Sequence, residues 1–415
     1  MRLFQPRPLL NTAMIALVTH ASPACAQTTE LSITSTGQGQ VAFGSNAIGG
    51  LSGITHLGGD QYLVVSDNSG TMAQATIVID RTTGDITSAS IGTTVPLAGG
   101  SDHEAIAYDP RDGSVLVTAE VGSTITRHDV SDGTAAGSIS VPAVFGNVQA
   151  NRGLESLSLD PAGFGLWTAN EEALTNDGTL STTMQGTIVR LQRFDADGIA
   201  ATQFGYRTDP HPGGLSQSRS GVSELIALPN GGLIAMERAL GFNYRVRFYA
   251  VDYDDAGDTT DVASLAGVTQ GLADKTLLHE VDSGFSNFEG ATLGPMLSNG
   301  DYALILVSDD GAFLNPQNLL TLRVSGLAIE GDLTGDFVVD QHDLAVVLGH
   351  WGDSVPAGDR LVGDPSGDGL VGVEDLDTVL ANWTLAGNSA QAANVPEPGV
   401  FTLSAGTLWA LSRRW

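Results

Sequence analysis

Five times along this 415-residue chain the same two-part pattern returns, and no other feature limits the fold so strongly. The first parts read GGLSGI (49–54), DHEAIA (102–107), RGLESL (152–157), VSELIA (222–227) and NFEGAT (287–292). Each is followed by a turn rich in Gly, Asn, Asp or Pro, then by an apolar run ending in an acid: VVSDNSG, VTAEVGS, WTANEEA, AMERALG and LVSDDGA. Those turn residues supply the dihedrals that tight hairpins require. A third stretch alternates apolar and polar residues as a half-buried strand does (ATIVID, STITRHDV, TIVRLQRFD, NYRVRFYAVD, NLLTLRVSG). A more variable fourth stretch ends each unit. Self-similarity of this kind predicts an all-β fold, a β-propeller of antiparallel blades over residues 28–327. Five blades are visible, or six if the N-terminal strand and divergent segments build one more. Thr28–Phe43 alternates like a strand and is expected to close the ring. The spacings between Glu104, Glu155, Glu224 and Glu289 are 51, 69 and 65 residues, so the later units carry insertions, most clearly at 205–221.

Folding each hairpin at its turn brings Glu104 towards Glu120, Glu155 towards Glu171, Glu224 towards Glu237 and Glu289 towards Asp309. Asp67 faces Ser52 or Gly53 instead. A propeller gathers equivalent positions on one face, so a ring of carboxylates is expected at one mouth of the channel. Carboxylates held close together raise one another's pKa or recruit a cation. Calcium or another hard divalent ion is therefore expected there. Glu104, Glu155, Glu224 and Glu289 are the candidates to hold it and orient water, with Asp67, Glu120, Glu171, Glu237 and Asp309 as outer metal partners. Arg152, three residues before Glu155, is the candidate clamp for an anionic substrate. Arg238 reads as a neutraliser of neighbouring glutamates and His103 as a packing residue. His128, His211 and His279 have no metal-ligand spacing, and there is no GxSxG elbow or Walker-type loop.

The chain carries 47 acids against 18 basic residues, a net charge of −29, and its only lysine is Lys275. Such a field disfavours nucleic acid and anionic membranes and favours cations. Residues 1–26 read as a secretory signal with Arg2 and Arg7, an apolar run and Ala24-Cys25-Ala26. Cys25, the only cysteine, leaves with it, so disulfides and thiol chemistry are not expected of the exported chain.

The period changes at Gly331. GDLTGDFVVDQHDLAVVLGHWG and GDPSGDGLVGVEDLDTVLANWT are two copies 32 residues apart, each an acidic loop running into a DLxxVLxxW helix. Calcium takes six to eight oxygens, supplied here at alternating loop positions and by an acid at the helix start. The first copy offers Asp332, Thr334, Asp336, Asp340 and Asp343 with the carbonyl of Val338; the second offers Asp364, Ser366, Asp368 and Asp375 with the carbonyl of Leu370. Residues 331–384 resemble a type I dockerin, which implies bound calcium and a cohesin-like or surface-matrix partner. Phe337 replaces the loop glycine, and Gly372 stands where the first copy has Asp340. The second loop is expected to keep the better turn geometry and the first the fuller side-chain shell. After a linker (385–394), residues 395–415 carry Val-Pro-Glu-Pro, a short apolar stretch and Arg413-Arg414. They resemble a PEP-CTERM sorting tail, which implies a membrane sorting protease and the envelope or matrix of a Gram-negative-type bacterium.

The repeat motifs themselves, from GGLSGI with VVSDNSG through DHEAIAYDP, NRGLESLSLDP, GVSELIALPNGG and NYRVRFYAVD to NFEGATLG with LVSDDG, resemble the phytase-like propeller family over about residues 47–326. The resemblance implies a calcium-bearing acidic face and ester or phosphoester hydrolysis. The near-absence of lysine departs from the basic phosphate cleft of a dedicated alkaline phytase. Two functions follow. One is a secreted metal-dependent hydrolase of phosphate or carboxylic esters, lactones included. The other is a non-catalytic calcium-binding surface or matrix protein that engages acidic polysaccharide.

Overall fold

The computed structural model describes residues 30–43, 48–100, 102–161, 165–309 and 317–384. The expected signal peptide (1–26), linker (385–394) and sorting tail (395–415) lie outside the described residues. The remainder forms five antiparallel sheets arranged as the blades of a propeller. Blade 1 comprises Leu51–Gly58, Gln61–Ser66, Thr71–Ile79 and Ile86–Pro96, and blade 2 His103–Asp109, Ser114–Ala119, Thr124–Asp129 and Ala135–Ile139. Blade 3 comprises Ser158–Leu159, Leu166–Ala169, Ile188–Phe194 and Ala200–Arg207, and blade 4 Arg219–Ala227, Leu233–Leu240, Tyr244–Asp252 and Asp274–Gly284. Blade 5 supplies Asn287–Met296, Tyr302–Asp309 and Asn318–Ser325. Its outer edge is completed by Ser32–Ser35 and Val41–Ala42, both paired with Asn318–Ser325. The N-terminal segment thus closes the ring, as its alternation predicts, and no sixth blade forms among the described residues.

Within each blade the strands run outward in chain order, and the first strands contact one another in cyclic order around the axis. The second strands are the most deeply covered: QYLVVS, SVLVTA, LWTA and YALILV are buried almost throughout. A strand packed on both faces reads as a continuous apolar run, whereas the fourth strands, such as ITSASIGTTVP, mix exposed and half-buried positions. The core lies between blades. Ile54, Val64 and Ala73 of blade 1, for example, pack with Ile305, Val307 and Leu319 of blade 5.

Near the axis the inner strands come within backbone contact. A Cβ on Gly290 would lie 2.7 Å from the Ser52 carbonyl oxygen, and the existing Gly53 would meet Ala105 in the same way at 2.9 Å. Hydroxyls stitch neighbouring blades: Thr55 Oγ1 accepts the Tyr108 N–H (3.0 Å), and Ser158 Oγ accepts that of Ala227 (2.9 Å).

Beyond Ser325 the two acidic repeats form a small module with helices Gln341–Gly349 and Val373–Ala381. Its core pairs equivalent positions of the two copies, Val339 with Val371 and Val347 with Val379, around Leu333. Asp340 caps the first helix through a capping box with Asp343. Phe337 adopts φ 66°, the left-handed conformation that Gly369 takes at φ 81° in the second copy. A non-glycine residue is strained there, so its side chain must be held by something else.

Candidate functional site

The inner strands do not alternate cleanly. Every one that carries a ladder past the repeat motif is bulged: at Ser52, at Glu104–Ala105, at Ser223 and at Glu289 the register slips by one. A bulge leaves one residue unpaired and re-aims its side chain. In blade 3, side chains replace the ladder here. The Ser156 hydroxyl accepts the Ala169 N–H (2.8 Å), and Thr168 donates to the Ser156 carbonyl (2.7 Å). The register pairs each second-strand acid with the residue two before the inner-strand motif position, which is Ser52 in blade 1 and an acid in the other blades. Asp67 N–H bonds the Gly50 carbonyl, Glu120 that of Asp102 and Glu171 that of Gly153, while Asp309 pairs with Asn287.

Glu104, Glu120, Glu155, Glu171, Glu289, Asp67 and Asp309 gather in this way at one mouth of the propeller, and Asp102 and Glu172 join them. Carboxylate oxygens of Asp102, Glu104 and Glu120 all lie within 4.8 Å of one another. Glu104 is pushed up to about 9 by burial and then by the charges of Glu289, Asp67, Glu120 and Asp102. Burial, and then Glu104 and Glu171, raise Glu155 well above the carboxylate range. Burial, followed by Asp309 and Glu289, lifts Asp67 to about 7. Asp67 Oδ1 is buried without a hydrogen-bond partner among the described residues. Asp102 is a non-glycine residue at φ 79°, and its N–H bonds the Asp67 carbonyl (2.8 Å). Sequence reasoning passed over Asp102, although it opens the DHEAIA motif; the left-handed turn that aims it is not visible in residue order. Hard oxygen donors crowded together, without thiolate or imidazole, suit calcium or a similar divalent cation.

Two expected members of the ring sit differently. Blade 4 keeps its hairpin paired through Leu240, so strand alternation continues past the motif. Glu237 therefore turns away from the mouth. It accepts from the Tyr206 hydroxyl (2.6 Å), the Asp209 N–H (2.8 Å) and the Lys275 ammonium. Arg238 takes the mouth-facing position, buried, with one nitrogen on Glu171 (2.6 Å) and the other on Glu289 and Asn287. Glu224, whose bulge falls one residue earlier at Ser223, lies deeper along the axis. Its carboxylate accepts backbone N–H groups of Leu157 and Leu225 (3.0 Å each) and of Ala291. It ties blades 3, 4 and 5 together rather than pairing with Glu237. Arg152 is at the mouth but committed to Glu172 (2.8 Å), with Glu171 at 3.9 Å. His103 is buried, in line with a packing role.

At the opposite end of the axis a cavity of ≈ 460 Å³ is lined by the ends of the inner strands and by Thr334–Phe337 of the first acidic loop. In that module Asp364, Asp368 and Asp375 bring carboxylate oxygens within 4.8 Å of one another. The second copy thus has both the glycine turn and the convergent acids. In the first copy Asp332 and Asp343 are fully buried, and their oxygens accept loop N–H groups. Thr334, Asp336, Val338 and Asp340 surround them in sequence, while Ser366 and Leu370 occupy the matching places in the second.

No curated protein matches the sequence. Among solved structures, the PQQ-bound aldose sugar dehydrogenase from Streptomyces coelicolor aligns at 15% identity and a TM-score of 0.36, covering 71% of this chain and 99% of that one. Hydrazine synthase of Kuenenia stuttgartiensis aligns at 10% identity and a TM-score of 0.33, covering 64% and 80%. A profile of the phytase-like family, described as the esterase-like activity of phytase, matches residues 46–312, and the chain belongs to that family.

Proposed function

We propose that the chain is a metal-dependent hydrolase of phosphate or carboxylic esters acting at the acidic mouth. The convergence of Asp102, Glu104 and Glu120 within 4.8 Å, with Glu104 pushed up to about 9, carries this reading. Buried like charges are costly unless a proton or a cation relieves them. Asp102, Glu104 and Glu120 would hold the ion, with Glu155, Glu289 and Asp309 bordering it. When bound, a calcium-like ion would polarise an ester or phosphoryl oxygen and acidify a water. Asp67, with one buried carboxylate oxygen unpartnered among the described residues, is the candidate to accept a proton from water. Arg238 spends its charge on Glu171 and Glu289 and keeps them fixed. Arg152, partly exposed and paired with Glu172, is a cation at the mouth that can shift to an anionic substrate. In the acidic repeats, Asp364, Asp368 and Asp375 with Ser366 and the Leu370 carbonyl would hold calcium in the second loop.

The test is hydrolysis by the full chain of 4-nitrophenyl phosphate, 4-nitrophenyl acetate and a small lactone, with calcium and with chelator. Chelator-sensitive turnover of one class is expected. It should disappear in Glu104→Gln and Glu155→Gln while the thermal midpoint persists. A folded, ion-loaded protein that turns over none of them would sink the enzyme reading. The alternative would then stand: a binding protein that uses its ions structurally. Leu348, Trp351, Val373 and Leu380, exposed on the C-terminal module, favour that second reading as a partner surface.

A further inference from the structure

The two copies of the acidic repeat are alike in sequence and unlike in surroundings. Phe337 of the first copy stacks on Tyr302, a buried residue of blade 5, with ring centroids 4.7 Å apart and planes inclined by 21°. The Tyr302 hydroxyl approaches Asp332 Oδ2 at 3.4 Å. Gly335 rests on Met296, where a Cβ would come within 2.6 Å of the methionine Cβ. Phe337 and Leu361 extend the core that Met236, Met296 and Tyr302 form between blades 4 and 5. Arg360 adds a second fastening. Its N–H bonds the Ser298 carbonyl (2.8 Å) in the turn of blade 5, and its guanidinium reaches the Ile329 carbonyl (3.1 Å). Arg360 and Leu361 lie in the connection between the copies, and the contacts that Gly335 and Phe337 make with the propeller have no counterpart at Gly367 and Gly369 of the second copy. Gly369 stands in place of Phe337, and Leu370 and Val373 are exposed by 49% and 62%.

We propose that the two copies have divided their work: the loop of the first is a permanent seat that fixes the module on blade 5, with or without a bound ion, and the loop of the second takes no part in that seat. The loop position that favours glycine carries a strained phenylalanine because its ring is bought by the propeller core. That exchange gains burial for the propeller at the expense of local backbone comfort. The seat consists of stacking, apolar packing and backbone hydrogen bonds, none of which needs a cation. The module is then a fixed wall of the cavity at the far mouth rather than a tethered appendage.

Hydrogen exchange on the full chain tests this, read at the amides of Arg360 and Gly326–Gly331, in calcium and in chelator. The expected result is that chelator leaves Arg360 protected in the native protein. Phe337→Gly should raise exchange at Arg360 by about tenfold or more, the scale set by losing a partly buried aromatic ring. Because this variant restores the favoured loop residue, the module itself stays folded, which protection of the Val373–Ala381 amides would report. Release of Arg360 by chelator alone would overturn the proposal in favour of an ion-dependent clasp. Unchanged protection in Phe337→Gly would overturn it as well, by removing the ring from the seat. Neither outcome depends on whether the acidic mouth is catalytic.

Discussion

Glu104 and Arg238 set opposite signs at the same mouth, and each makes a separate prediction. A carboxyl group that titrates near 9 when folded and in the ordinary range when unfolded binds more protons in the folded state. The stability it contributes is present at low pH and is lost as pH rises from the ordinary carboxylate range to about 9. Asp67, at about 7, acts in the same direction. In chelator, the urea midpoint should therefore fall as pH rises through this window, and Glu104→Gln should flatten the fall. Arg238→Met would leave Glu171 and Glu289 buried without their cation. That loss should cost about 3–5 kcal/mol in urea unfolding. Glu224→Gln keeps an acceptor for the Leu157 N–H, whereas Glu224→Ala orphans it and should cost about 1–3 kcal/mol more. The gathering of Glu104, Glu155 and Glu289 was legible in the sequence, because repetition alone places equivalent residues around an axis. The exits of Glu224 and Glu237 were not. They depend on where one bulge falls and on how far one hairpin stays paired, and both are settled by cross-strand packing rather than by residue order.

The strands show the same division. The buried second strands and alternating third strands were legible because periodicity records which faces are covered. The inner strand of blade 3 was expected from RGLESL yet reduces to Ser158–Leu159, since Ser156 and Thr168 side chains take over ladder bonds upstream. The expectation that Thr28–Phe43 closes the ring is met by Ser32–Ser35 and Val41–Ala42. Ile33 is the buried anchor of this closure. Ile33→Ala should destabilise the propeller by about 2–4 kcal/mol in urea unfolding. Removing residues 30–43 should do more than weaken the fold. It uncovers the edge of Asn318–Ser325, and a free strand edge pairs with its like. Concentration-dependent association on a sizing column is the expected sign; a stable monomer would argue against this role.

Taken whole, the molecule has two ends that differ in chemistry, with Glu224 fastening the blades between them. One end concentrates negative charge, and the other is a cup of mixed polar and apolar lining, walled by the first acidic loop. Sequence alone suggested an acidic mouth but not the cup, because the wall is formed by a segment that belongs to a different repeat. The closing strand also fixes an order of events. Ser32 lies opposite Ser325, 293 residues later in the chain. At ribosomal speeds of about 5–20 residues per second, roughly 15–60 s separate the two. Throughout that interval the growing propeller is a row of blades with nothing to seal it, and its first strand must wait for its last. A pause in translation late in blade 5 would prolong that unsealed state, whereas the same pause in blade 2 would leave far less sheet exposed.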